Sequence, residues 1–252
     1  MILMKLFREY QQASLVMTAD DALEAALGRA IERYRITHVL ESGTAEGTGS
    51  TQMIAKCFGE RTPEAFVTIE ANWERWRTAR RNLARWPFIK CIWGQTVPVN
   101  EAVDFIAHDE AILHHERYPD LFIDDVDDPV GFYTAECRGE RQRSSWLTLA
   151  EYVDRMFRHS GDRVLGQWLE RMKEKRPLVV LDSAGGIGVL EYRIVIEQLG
   201  GAPYFLLLDD VHHLKHFRSL QDIKHQPSFS ILGESAEHGW VLAAHRDERA
   251  NK

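Results

Sequence analysis

The chain has 252 residues, 44% hydrophobic and 27% charged, the balance of an ordinary soluble globular protein with enough length for one large core or two modest ones. Its 38 acidic and 31 basic side chains leave a formal charge of −7, which argues against a protein whose main task is to coat nucleic acid or an anionic membrane. The apolar runs are far shorter than the ~20 residues of a membrane helix, and the opening MILMKLFREYQQ lacks the longer apolar core of a secretory signal. Cys57, Cys91 and Cys137 lie far apart, are odd in number and form no CxxC pair, so the expected setting is a reducing cytoplasm.

Residues 20–35 (DDALEAALGRAIERYR) carry Leu23, Ala26, Leu27, Ala30, Ile31 and Tyr34 at helical spacing, with Asp20 and Asp21 suited to the positive end of that helix. Residues 36–43 (ITHVLESG) read as a strand entering a turn, and 50–59 (STQMIAKCFG) as a helix closed by Gly59. A second strand at 65–70 (AFVTIE), a helix at 72–86 ahead of Pro87 and a third strand at 88–94 (FIKCIWG) follow. The pattern loosens over 100–175, where acidic runs, aromatics and a helical stretch from Trp146 to about Lys175 suggest an insertion. Order returns with a strand and turn at 176–186 (RPLVVLDSAGG), a helix at 189–201, a strand at 203–210 (PYFLLLDD) and an antiparallel pair at 228–233 and 239–245. Alternating strands and helices predict an α/β fold in a single domain: a mostly parallel seven-stranded sheet, covered on both faces, with right-handed crossovers and an antiparallel end.

Ligands of open α/β sheets bind beyond the carboxyl ends of the strands. The first such end is Glu41-Ser42-Gly43-Thr44-Ala45-Glu46-Gly47-Thr48-Gly49-Ser50, where Gly43 and Gly47 allow unusual backbone angles and a close ligand approach. A tight strand-to-helix turn needing glycine for geometry alone is the competing account. A Walker loop is excluded because no GKS or GKT occurs, and G-x-G-x-x-G fails because Gln52 stands where the last glycine belongs. The second strand ends in Glu70, 29 positions after Glu41 (70 minus 41), placed to accept hydrogen bonds from both hydroxyls of a ribose. The third ends in Gly94-Gln95-Thr96, where a polar side chain could meet an adenine edge.

These three strand ends resemble the class I S-adenosylmethionine-dependent methyltransferases, over residues 36–96 and 176–246, and the terminal strand pair suits their Rossmann-like fold. The resemblance implies that Glu41, Gly43, Thr44, Gly47 and Ser50 pass the methionine end of S-adenosyl-L-methionine, that Glu70 holds the ribose hydroxyls, and that Gly94, Gln95 and Thr96 lie by the adenine. Gly49 departs from the serine or threonine common in relatives, and Ser50 is the replacement.

Asp182 tips the fourth strand and Asp209 and Asp210 tip the fifth, on neighbours ~4.8 Å apart. Three converging anions call for a positive partner, and a hard divalent cation such as Mg²⁺ is one; solvated acids or helix caps are the plain alternative. Here the chain resembles metal-dependent O-methyltransferases, of the catechol type and of antibiotic-sugar biosynthesis, in which an Asp and an Asp-Asp or Asp-Asn pair bind Mg²⁺. A chelated cation would favour the alkoxide of a substrate hydroxyl. Ser183-Ala184-Gly185-Gly186 carries no base, which leaves Asp182, His212 and His213 as the candidates. The HHLKH run reads as a polar helix start rather than a transition-metal site, with 212 and 216 on one face if helical. IDDVDD at 123–128 reads as a solvated loop or lid edge, and Trp73, Trp76 and Trp86 as packing residues on a basic helix.

The expectation is therefore methyl transfer from S-adenosylmethionine to a hydroxyl of a small molecule, a sugar or natural-product intermediate, with Mg²⁺ assisting. A metal-independent enzyme and a non-catalytic binding module are the alternatives. The segment 100–175 would form the acceptor pocket and lid. Nucleic acid is disfavoured as a partner by the charge and by the absence of an N/D-P-P-Y/F tetrapeptide, no membrane is expected, and a homo-oligomer is allowed.

Overall fold

The computed structural model describes residues 20–139, 160–183 and 185–246. In chain order these form α1 (Asp21–Tyr34), β1 (His38–Ser42), α2 (Ser50–Cys57), β2 (Ala65–Glu70), α3 (Trp73–Asn82) and β3 (Ile89–Trp93). Then come α4 (Val99–His108), α5 (Glu110–Leu113), α6 (Pro129–Cys137), α7 (Val164–Met172), β4 (Leu178–Leu181) and α8 (Gly188–Leu199). The chain closes with β5 (Tyr204–Leu208), α9 (Phe217–His225), β6 (Phe229–Ser235) and β7 (Trp240–His245).

The seven strands pair in the order β3-β2-β1-β4-β5-β7-β6. β1 to β5 run parallel, and β7 is antiparallel to both its neighbours, as the apolar runs and terminal pair predict. Successive side chains of a strand point to opposite faces, and two cores result. Val39, Phe66, Val180 and Leu207 join α1 and α2 on one face; Leu40, Val67, Val179 and Leu181 join α7 and α8 on the other. Because β1 lies between β2 and β4, the connections leaving β1 and β4 diverge there, and the carboxyl edge at β1 is the switch point at which such sheets open a crevice.

Local chemistry sets the element ends. Asp20 caps α1, accepting from the Ala22 amide at 2.9 Å and from Trp240 Nε1 at 2.7 Å. The helix predicted over 72–86 ends at Asn82, because Leu83–Trp86 form a turn ahead of Pro87, which disfavours helical backbone before it. Asn72 is its cap rather than its first residue, accepting from Glu74 and Arg75 amides. Trp73 stacks on Trp76 at 4.8 Å and meets Trp93 edge-on at 4.7 Å, so these tryptophans pack the outer strand, and Arg80 lies over the Trp76 ring.

Between β3 and β4 the described residues contribute four helices. The first half of the helical stretch predicted from Trp146 lies outside the described residues; the second half is α7 and a turn at 173–175. Segment 123–128 is tethered more firmly than a solvated loop. Phe122 makes a parallel bridge to His213, Asp124 accepts the Tyr133 hydroxyl at 2.7 Å, and Asp128 caps α6. Ile106, Ile112, Tyr133 and Leu214 form a small third core that seats this segment on the loops after β4 and β5.

Candidate active site

The turn after β1 crosses the tip of β2. Gly43 and Thr44 amides donate to the Ile69 carbonyl at 3.0 and 3.2 Å. Both Gly43 (φ +83) and Gly47 (φ +70) take left-handed angles. The chain itself also demands glycine at both. A Cβ on Gly43 would stand 1.9 Å from the Asp182 carbonyl oxygen, and one on Gly47 would stand 3.0 Å from the Leu83 side chain.

Glu41 does not face the crevice. It is fully buried, and its carboxylate accepts from Ser50 Oγ at 2.7 Å, Thr51 Oγ1 at 2.7 Å and Thr68 Oγ1 at 2.6 Å. Glu41 and Ser50 are thus a clamp that ties β1 to the first turn of α2. Thr44 is likewise buried, sharing a 2.5 Å hydrogen bond with Thr68. Burial pushes the Glu41 pKa up to about 7 against the pull of the three hydroxyls.

Glu70 does converge with the turn. Its Oε2 accepts from the Ala45 amide at 2.8 Å and its Oε1 from the Asn72 amide at 2.7 Å. The carboxylate has more lone pairs than its backbone donors use, so acceptor capacity remains for a ligand hydroxyl. Burial raises its pKa to about 7, opposed by the amide donors and Arg75. After β3, Gly94 and Thr96 are buried while Gln95 stays half-exposed. Segment 160–164 covers this turn: the Gln95 amide donates to the Gly161 carbonyl at 2.9 Å, and a Cβ on Gly94 would strike Val164.

The three aspartates meet as their strand positions predict: Asp182, Asp209 and Asp210 offer ligand atoms all within 4.8 Å of one another. Asp210 takes φ +54, turning the chain back from the strand tip. The positive partner is Lys215, whose Nζ donates to Asp182 Oδ1 at 2.8 Å and to Asp210 Oδ2 at 3.0 Å. Burial and the adjacent Asp182 carboxylate push the Asp209 pKa well up; burial also raises that of Asp182, against the lysine. Magnesium wants oxygen ligands at about 2.0–2.1 Å in near-octahedral array. The three acids gather as the expected Mg²⁺ site requires, but the Lys215 ammonium already takes one oxygen of Asp182 and one of Asp210.

The histidines depart from their predicted roles because 212–216 is a series of turns and α9 begins only at Phe217. His212 Nε2 donates to the Ala236 carbonyl at 3.1 Å. His213 places Nε2 3.3 Å from Asp124 and accepts the Lys215 amide on Nδ1 at 3.3 Å. His216 is buried, its Nε2 donating to the Leu181 carbonyl at 3.1 Å, and burial with the neighbouring lysine charge holds its pKa well down. None of these contacts aims a ring nitrogen at the aspartates.

Two buried charged residues at the site escape a reading of the sequence. Lys215 lies within HHLKH, and its signal was three acids lacking a cation with a lysine five residues downstream. Glu191, on the buried face of α8, accepts from Ser42 Oγ at 2.9 Å and Ser183 Oγ at 2.7 Å, joining the ends of β1 and β4; burial raises its pKa. Glycine at 185 and 186 also has a packing cause, since a Cβ there would meet Tyr133 at 2.5 and 3.0 Å.

No known protein family and no curated protein matches this chain by sequence. Solved structures resemble it at low identity. An O-methyltransferase from Bacillus cereus in complex with S-adenosylhomocysteine (SAH) is 12% identical, with 96% of this chain and 90% of that one covered, at a TM-score of 0.49. The SAH-bound methyltransferase PaMTH1 of Podospora anserina is 11% identical over 92% and 81%, at 0.48. The O-methyltransferase TomG of Streptomyces achromogenes, involved in tomaymycin synthesis and in complex with S-adenosylmethionine, is 12% identical over 92% and 82%, at 0.47.

Proposed function

We propose that this chain is an S-adenosylmethionine-dependent methyltransferase acting on a hydroxyl of a small molecule, of the sugar or natural-product kind. The observation that supports the reading is the 2.8 Å contact from the Ala45 amide to Glu70, which joins the glycine turn to the acid at the tip of β2, beside the switch point. When bound, the cofactor supplies a methyl group on a sulfonium. Glu70 would hold the ribose by accepting from its hydroxyls. The backbone of 43–49 would back the methionine end, and the half-exposed Gln95 would meet the adenine edge. Glu41, Ser50 and Thr44 position that backbone without touching the ligand.

Asp182, at the tip of β4 beside Gly43, is the group that takes the acceptor proton. With donor and acceptor bound, its carboxylate would take up the hydroxyl proton as the methyl group is transferred, and in-line placement would supply much of the acceleration. Asp182 is preferred over His212 and His213 as the base, since His212 is tied to the Ala236 carbonyl through Nε2 and His213 lies against Asp124. The segment between β3 and β4 shapes the acceptor side, since loops over a fixed scaffold set substrate choice.

Isothermal titration with SAH tests the reading. Binding heat is expected from the intact chain and its loss from Glu70→Ala; an intact, folded chain that gives no heat refutes it. A second reading, a binding module without catalysis, draws on the Ser183 hydroxyl being committed to Glu191. SAH binding with no methyl transfer across a broad panel of hydroxyl acceptors would select it.

A further inference from the structure

The acid cluster at the ends of β4 and β5 has been given its cation by the chain. Lys215 is only 4% exposed, and its ammonium lies at hydrogen-bond distance from Asp182 and Asp210. Two further features hold it there. Leu214, next to it, donates its amide to the Phe122 carbonyl at 2.7 Å, and His213 contacts Asp124, so the turn is pinned from the β3–β4 segment. Gly188, at the start of α8, clears its path: a Cβ there would stand 2.5 Å from the Lys215 carbonyl oxygen and 2.6 Å from its Cγ. A slot shaped for the stem, ending on two carboxylates, makes this lysine a built feature of the site.

We propose that Lys215 is the resident cation of this site, occupying the place from which a divalent metal would bridge Asp182, Asp209 and Asp210, so that the protein works without such a metal. The ammonium takes one oxygen each of Asp182 and Asp210, and a divalent cation drawing on the same acids would lie close beside it, where like charges repel strongly in a buried setting. Lys215 is then a positioning residue: it aims the Asp182 and Asp210 carboxylates and balances their charge. A chelated metal favours acceptors with two neighbouring oxygens, whereas a lysine already bonded to its carboxylates makes no such demand, so acceptors with a single hydroxyl are admitted. The inference rests on the methyl-transfer reading for this last consequence only.

The test is Mn²⁺ titration of the chelator-treated full chain, followed by electron paramagnetic resonance. The wild type should leave Mn²⁺ free. Lys215→Met, which keeps the stem and removes the charge, should bind one equivalent at least about tenfold more tightly, and adding Asp210→Asn should abolish that binding. Wild-type protein that binds one Mn²⁺, lost in Asp210→Asn, overturns the proposal. A folded Lys215→Met, judged by circular dichroism, that stays empty overturns it too. If Lys215→Met does not fold, the wild-type titration decides alone. SAH calorimetry run alongside separates the two claims, since a wild type that ignores SAH refutes methyl transfer and leaves the lysine assignment intact.

Discussion

Two sets of buried carboxylates share the carboxyl edge of one sheet, and they are held by opposite means. At β1 and β2, Glu41 and Glu70 are satisfied by hydroxyls and amides. At β4 and β5, Asp182 and Asp210 are bonded to an ammonium. Neutral donors leave a buried carboxylate titrating near neutrality, as the pKa values of about 7 for Glu41 and Glu70 indicate, and leave Glu70 lone pairs for a ligand. An ammonium holds its partners in one orientation. The first arrangement suits recognition of an incoming hydroxyl, the second a carboxylate aimed beside it.

The largest effect should come from breaking the ion cluster. Removing one partner of a buried pair costs about 3–5 kcal/mol, so Lys215→Ala should lower unfolding free energy by that order in a urea titration. Gly43→Ala should follow, at about 2–3 kcal/mol, because it combines a left-handed angle with a Cβ 1.9 Å from the Asp182 carbonyl. Glu70→Ala should weaken SAH binding by about 10–100-fold in calorimetry, the worth of one or two charge-assisted hydrogen bonds. The same titration in the wild type should weaken as pH falls below about 7, since a protonated Glu70 offers fewer acceptors.

The smallest expected effect is a pH slope. Burial raises the Glu41 pKa from 4.5 to about 7, so the folded chain binds more protons than the unfolded chain between those values. Its contribution to stability is therefore present below pH 4.5 and lost as pH rises through 7. Glu41→Gln should flatten the difference in unfolding free energy between pH 5 and pH 8 by on the order of 1–2 kcal/mol. An unchanged slope would mean that the three hydroxyls, and not burial, govern this carboxyl.

Much of the scaffold was readable residue by residue. AFVTIE is a strand with the bounds predicted for it, and the helix at 20–35 differs from α1 by one residue at each end. Those signals are local: apolar runs, helical spacing and a capping aspartate act within a few positions. The meeting of Asp182 with Asp209 and Asp210 was also legible, because parallel strands of similar length end at the same edge.

What the amino-acid order alone determined, then, is which segments are strands and helices and which acids reach the carboxyl edge, since both follow from short-range pattern and strand geometry. Only the tertiary structure decided what those acids touch. Glu41 turns inward to three hydroxyls, Gly43 and Gly47 are demanded by Asp182 and Leu83, and Lys215 arrives through a slot that Gly188 leaves open. Each of these contacts joins separate elements, and no local pattern encodes where the packing of two sheet faces will bring a side chain.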